Sequence, residues 1–577
     1  MFGKLFSLKA GAKSTHPLGS DENVASLLAE IPSEPSRALL ELDHWLADSA
    51  RFQDEIGTGA LLRAILRLDD AAEAARVALL ERYLSPAHRE HMSEVVWSAL
   101  DKNLRHVAQD YRHCLDMQLR TPQAAIDKRD LLLAALRGIG AAAARKKLLR
   151  FRYRSADAAW WQEIHGLLSA SGRMGVANEA APPFDGAEKK FTALRLYLVA
   201  AYFELAPLSN LVPQQVEVIE RLLLDSADTL ELAGSAGMAS THQIDLGGDC
   251  GPAPLMRDSA PGQGSFRYLA RARLRPIITK LAADLRKSRE LPDALRTTGA
   301  SIEQVRQLVT VLMQHWAEPP PQRGKARQST HEELNVVLGF GLARRMIAFT
   351  AFARSGRTLE YSGDDINALF QERHFGGSVR EESSEPAVAA QPLVVNPLEV
   401  LEKFELSGDR QMMEHWVQAD ISDTGLGAIA PAVRAKHRIG GLVCLRYSDG
   451  IDWRLGLIRR IGRNAAGQAT LGIETLDWPS VAARVKPMVD AETAAWAKLE
   501  GEGDGYLDAI LVSNDGFDLI LPHGAFAADL AIRVRIGETT LQVKLTQLVE
   551  RGDDFDRVRF AAIDRAKNPK KTIGTEQ

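Results

Sequence analysis

Six residues, Asp420-Ile421-Ser422-Asp423-Thr424-Gly425, carry the groups needed to recognise a purine edge. The Asp420 carboxylate accepts from ring N–H groups, the Ser422 hydroxyl donates or accepts beside it, and Gly425 lets the backbone turn close. An Asx-type turn between two strands would use the same residues with no ligand. Other candidates are weaker. His88-Arg89-Glu90-His91 lacks the His-Glu-x-x-His order of zinc hydrolases and reads as a solvated helix start. Trp160, Trp161 and His165 fall at helical spacing and read as a packed patch with a satisfied histidine. His242 to Asp249 matches no calcium-loop spacing, and Gly425-Leu426-Gly427 is no dinucleotide fingerprint. With no nucleophile elbow and no phosphate-binding Gly-Lys-Ser/Thr loop, the chain is expected to be neither an enzyme nor a metalloprotein, with no cofactor.

The elements that must position Asp420 read as short strands. Val443, Leu445 and Tyr447 alternate with polar or small residues, and Asp449-Gly450 is a turn signal. Trp453, Leu455 and Leu457 alternate next, then Ala469, Leu471 and Ile473. Such a meander of half-buried strands fits a small barrel. The six-residue run and these strands resemble the second signature, Asp/Asn-x-Ser-x-x-Gly, and the later strands of PilZ domains, which are receptors for cyclic di-GMP.

That resemblance implies a first signature, Arg-x-x-x-Arg, just before the barrel. Arg323-Gly-Lys-Ala-Arg327 fits, after Pro319-Pro320-Pro321 and before the strand-like Leu334 to Gly339. Each guanidinium can fork onto phosphate oxygens and stack on a base. Arg150 with Arg154, Arg267 with Arg271, and Arg459 with Arg463 have the same spacing, and position alone selects Arg323 and Arg327. A solvated basic linker is the plain alternative. Arg327 and Asp420 lie 93 positions apart, further than the family's usual few tens. The excess, about 341–411, is expected to be an insertion between the first two barrel strands, helical at Leu342 to Phe352 and again near Pro397 to Phe404.

The 577 residues, 45% hydrophobic and 25% charged, suit a multidomain globular chain. A net charge of −4 gives no nucleic-acid footprint. Three scattered cysteines and no long apolar run point to the cytoplasm. Residues 23–318 read as helix after helix, an interaction surface for an unidentified protein, with Pro213 opening one helix and Pro276, inside the run Phe266 to Leu285, expected to start a new helix or kink it. The expected order is a flexible basic start (1–22), the helical region (23–318) and a PilZ-like barrel (319–488). An accessory β-domain (489–566) and a disordered tail (567–577) follow. The fold class is thus multidomain α+β, an all-α region followed by an antiparallel barrel and a second small β-domain. The resemblance implies a cyclic di-GMP effector that binds through Arg323, Arg327, Asp420, Ser422 and Gly425 and rearranges its helical region. A degenerate barrel serving as a scaffold is the alternative.

Overall fold

A computed structural model describes residues 16–47, 49–85, 92–122, 126–255, 265–288, 290–317, 327–354, 359–361, 393–395, 413–476, 480–488, 496, 505–514, 516–537 and 539–563. Outside them lie Arg323, the three prolines, the His88–His91 pair, the basic start as far as residue 15, the helix expected near Pro397 and the tail from 567. The chain divides into two compact units, Met1–Arg323 and Gly324–Gln577.

The first unit is helical. It contains α1 (Asp21–Ala29), α2 (Pro35–Ala47), α3 (Gln53–Ile56), α4 (Thr58–Leu84), α5 (Glu94–Arg120), α6 (Lys128–Phe151), α7 (Ala158–Arg173), α8 (Ala193–Phe203) and α9 (Pro213–Asp225). Side-chain caps start several of them: Ser93 accepts from the Val96 N–H, Asp127 from Arg129 and Asp157 from Trp160. Helix α6 is the hub. Its small residues Ala134, Ala135, Gly138 and Ala142 are buried, and a Cβ at Gly138 would lie 2.9 Å from Leu167 of α7 and 3.2 Å from Tyr111 of α5. Backbones can therefore approach closely on opposite sides of it.

The helical run is interrupted where helix was expected. Phe266–Leu269 is a strand, β3, pairing with β1 (His242–Asp245), which also pairs with β2 (Ala253–Pro254). Its alternating aromatics suit a pleated surface better than a helix. Helix α10 (Leu274–Lys287) then starts with Pro276 in its first turn, where the missing N–H has no intrahelical bond to lose. Helix α11 (Ile302–His315) closes the unit behind a Ser301/Gln304 capping box. Among the described residues, no helix is long and apolar enough to cross a membrane.

The second unit opens with β4 (Gln328–Ser329), β5 (Glu333–Leu338) and helix α12 (Phe340–Arg354). After β6 (Leu359–Tyr361) and β7 (Leu393–Val395), which pair with each other, come β8 (Met413–Ser422), β9 (Gly425–Ala430), β10 (Leu442–Tyr447), β11 (Arg454–Arg463) and β12 (Ala469–Thr475). Strands β8-β5-β10-β11-β12-β9 pair in that order, and β9 pairs back onto β8, closing an antiparallel barrel with β4 added outside β8. The excursion begun by α12 thus separates β5 and β8 in sequence, although they are neighbours in the sheet.

A second closed barrel follows, built from β13 (Ser480–Pro487), β14 (Leu507–Asn514), β15 (Gly516–Pro522), β16 (Ala531–Ile536), β17 (Thr539–Arg551) and β18 (Phe555–Ala562) in the order β13-β14-β15-β18-β17-β16. The sequence-based boundary at 488/489 falls after β13, whose pairings to β14 and β16 put it in this second barrel. Alternation in Val481 to Lys486 suits either barrel equally, so sequence could not assign the strand. The barrels share a core. Val337 of β5, Phe340 and Ile347 of α12, and Leu442 and Cys444 of β10 pack with Ile510 and Val512 of β14 and Phe555 of β18. This explains why Leu442 to Leu445 is buried at every position: one face looks into its own barrel and the other meets the second.

Candidate functional site

Strands β8 and β9 form a tight hairpin across Asp423-Thr424, with Ser422 and Gly425 directly paired. The Ser422 hydroxyl donates to the Gly425 carbonyl at 3.0 Å. Gly425 is required by close approach, since a Cβ there would lie 2.2 Å from the Ile473 carbonyl oxygen of β12. One step back, the register shifts between Gln418 and Asp420, a bulge that re-aims the Asp420 side chain.

Strand β4 lies along the other edge of β8, with Ser329 opposite Asp420 and Gln328 opposite Ile421. Arg327, the residue before β4, donates from Nη1 to Asp420 Oδ1 at 2.6 Å. Both side chains are about one-third exposed (32% and 30%), so the pair sits at the rim, open to a ligand. Sheet pairing therefore brings together two residues of the separate sequence signatures. The buried Gln418 holds the joint: its amide donates to Thr330 Oγ1 at 2.7 Å and accepts from the Tyr447 hydroxyl at 3.0 Å. Deeper in β8, Glu414 accepts from Trp416 Nε1 and pairs with His437 Nε2, both at 2.8 Å. Burial pushes the Glu414 carboxyl up, but these bonds and the charges of His437 and Arg434 bring it below its ordinary value.

Sequence reasoning missed the floor of the site. Asp420 faces Gly427 on β9, Gly427 faces Gly472 on β12, and Gly472 faces Arg460 on β11. A Cβ at Gly427 would meet the Asp420 carboxylate oxygens at 2.8 and 2.9 Å, so that glycine makes the room in which the carboxylate sits. Two glycines between a carboxylate and an exposed arginine leave a bare strip of backbone on which a flat group can lie. Glycine inside a strand was the available signal, but its place in the row depends on register. Of the alternative arginines, Arg459 is engaged. It donates to Glu474 at 2.6 Å and to both carboxylate oxygens of Glu550 in the second barrel.

The helical unit offers little of this kind in a cavity of about 730 Å³. The cations there are already neutralised: Arg76 by Asp69, Arg137 by Asp70, and Lys147 by Glu217 and Glu220. His165 is satisfied, as its neighbours suggested, bonding Tyr197 at 3.0 Å and the Cys250 carbonyl at 3.2 Å. Burial lowers its pKa. Among the described residues no cluster of three or more His, Cys, Asp or Glu is arranged to hold a metal ion.

Residues 22–236 match the family described as "Cyclic-di-GMP receptor FimW, N-terminal domain". The match runs from α1 to a point before β1 and includes no barrel strand. The helical region is therefore similar to that of a cyclic di-GMP receptor. Neither the curated proteins nor the solved structures give a match.

Proposed function

We propose that this chain is a cyclic di-GMP-binding effector whose first barrel is of the PilZ type. Nucleotide binds at the rim, with Asp420 and Ser422 reading a guanine edge, Gly425 permitting the turn, and Arg327 gripping phosphate. Arg323 is the second phosphate ligand by sequence spacing. The observation that carries this is the Arg327–Asp420 pair, which joins the two signatures across 93 positions. The receptor family matched by residues 22–236 supports the choice of ligand.

Energetics favour exchange of partners on binding. A part-exposed ion pair contributes about 0.2–1 kcal/mol. A hydrogen bond to a charged group contributes about 1.5–3 kcal/mol. Nucleotide that takes Arg327 with a phosphate and Asp420 with ring N–H groups therefore gains more than it breaks. The protein acts by binding rather than by turnover, in the cytoplasm, and its three free cysteines fit a reducing compartment. Nucleotide at the rim shifts the arrangement of the helical region and so its hold on a protein partner, which requires that the two arrangements differ in nucleotide affinity.

A barrel that binds no nucleotide and serves as a scaffold is the competing possibility. One observation favours it: Ser422 and Asp420 already have partners within the chain. Titration calorimetry with cyclic di-GMP decides between them. Micromolar or tighter binding that Arg327→Ala weakens at least tenfold supports the receptor, whereas no binding to the wild-type chain leaves the scaffold. An X-ray scattering profile unchanged by saturating nucleotide would remove the proposed rearrangement.

A further inference from the structure

The helical unit has a second concavity, of about 580 Å³, between α5 and the start of α7, with α6 at its side. Arg105, Gln109 and Arg112 follow one face of α5, Arg145 comes from α6 and Glu163 from the first turns of α7. Arg112 is held to Asp116 at 2.7 Å, and Arg145 to Asp101 at 2.9 Å. Arg112 also lies flat against α7 because residue 166 is glycine, where a Cβ would fall 1.2 Å from its guanidinium. Arg105 makes no hydrogen bond or ion pair among the described residues. Glu163 has a buried Oε1 with no donor, and burial pushes its carboxyl up to about 7 against the pull of Arg145, Arg112 and Arg105. A buried acceptor left without a donor calls for one supplied from outside.

The combination restricts what could fill the groove. Cations alone would suit inorganic phosphate or an acidic peptide, but either would set a negative group against Glu163. A fitting ligand must bring negative charge to the arginines and adjacent N–H donors to the carboxylate. Guanine nucleotides do both: N1–H and the N2 amino group form a donor pair that matches a carboxylate, and O6 and N7 accept from arginine. Adenine presents no such donor pair.

We propose that this groove is a guanine-nucleotide site, distinct from the barrel rim, in which Glu163 takes the N1–H/N2 edge and Arg105 the phosphate. The inference stands on the groove's own side chains and shares with the barrel proposal only the choice of probe.

The test titrates the full chain with cyclic di-GMP, GTP and cyclic di-AMP, comparing wild type with Arg105→Ala, Glu163→Gln, Arg327→Ala and the double variant Arg105→Ala/Arg327→Ala. Arg105 makes no hydrogen bond or ion pair among the described residues, so that variant should stay folded, its melting temperature reporting only the loss of a positive charge near Glu163. With both sites present, each single variant should lose one of two bound nucleotides; the expected result is guanine-nucleotide binding that remains in Arg327→Ala, falls at least tenfold on adding Arg105→Ala, and is not displaced by cyclic di-AMP. Binding of cyclic di-GMP without GTP assigns the dinucleotide, and binding of GTP assigns a mononucleotide. If Arg327→Ala abolishes all binding while Arg105→Ala and Glu163→Gln leave it unchanged, the groove is overturned and the barrel stands. The reverse pattern keeps the groove and removes the barrel site. No guanine-nucleotide binding to the wild-type chain overturns both.

Discussion

Replacing Gly427 by alanine tests the barrel rim without removing any group that hydrogen-bonds the nucleotide. The added Cβ would lie 2.8 and 2.9 Å from the Asp420 oxygens and 3.0 Å from its Cγ. Those atoms end a flexible side chain, so the strand can stay in place while the carboxylate swings away from Arg327. Alanine also suits a strand at least as well as glycine, and thermal stability should hold or rise slightly. A displaced carboxylate forfeits its charged hydrogen bond to the guanine edge, worth about 1.5–3 kcal/mol. Cyclic di-GMP should then bind roughly 10- to 150-fold more weakly. Calorimetry on Gly427→Ala, Asp420→Asn and the double variant gives the decisive comparison. If Gly427 acts through Asp420, the double variant binds no worse than Asp420→Asn. Independent, additive losses would refute the reasoning, as would wild-type affinity in a folded Gly427→Ala chain.

Gly425→Ala should behave differently, because its Cβ would meet backbone, the Ile473 carbonyl at 2.2 Å. We expect a loss of about 1–3 kcal/mol in urea unfolding, with weakened binding following from the damaged hairpin. Arg459→Ala should lower stability by about 1 kcal/mol, discounted because that side chain is 38% exposed, and leave nucleotide affinity unchanged. A tenfold affinity loss there would mean that the phosphate ligand was misassigned. Glu414 has a folded-state pKa below its unfolded one, so its contribution is complete above about pH 4.3 and is lost as pH falls through the folded value. Glu414→Gln should flatten that acid limb in urea midpoints measured from pH 3 to 7, and an unchanged limb would show that other carboxylates set it.

Local order was legible where one residue's neighbours in sequence are also its neighbours in space. The α9 start at Pro213 and the alternation of β10 to β12 are of this kind. The Asp420 hairpin also belongs here, because its chemistry fits in six residues. What could not be read was cross-strand register. Nothing local says that Gly427 faces Asp420, that Gly472 continues the row, or that Arg327 reaches back over 93 positions. Buried charges such as Lys146 and Lys147 on α6 were equally hidden, since their counter-ions Glu204, Glu217 and Glu220 come from distant segments. Assignment of β13 failed for the same reason, because a strand's alternation does not name its partner.

Among the described residues, the core shared by the two barrels leaves no hinge between them. Apolar side chains from β5, α12 and β10 interlock with β14 and β18, so the pair should melt in one transition, and a fragment ending at 488 would tear β13 from its barrel and strip the first barrel's outer face bare. A rigid block of this kind cannot answer a ligand by flexing at its middle. Of the described elements around the rim, β4 is the slightest, held by two residue pairs and clamped by Gln418. Whatever changes when the rim is occupied has its softest outlet there, where the chain first joins the sheet.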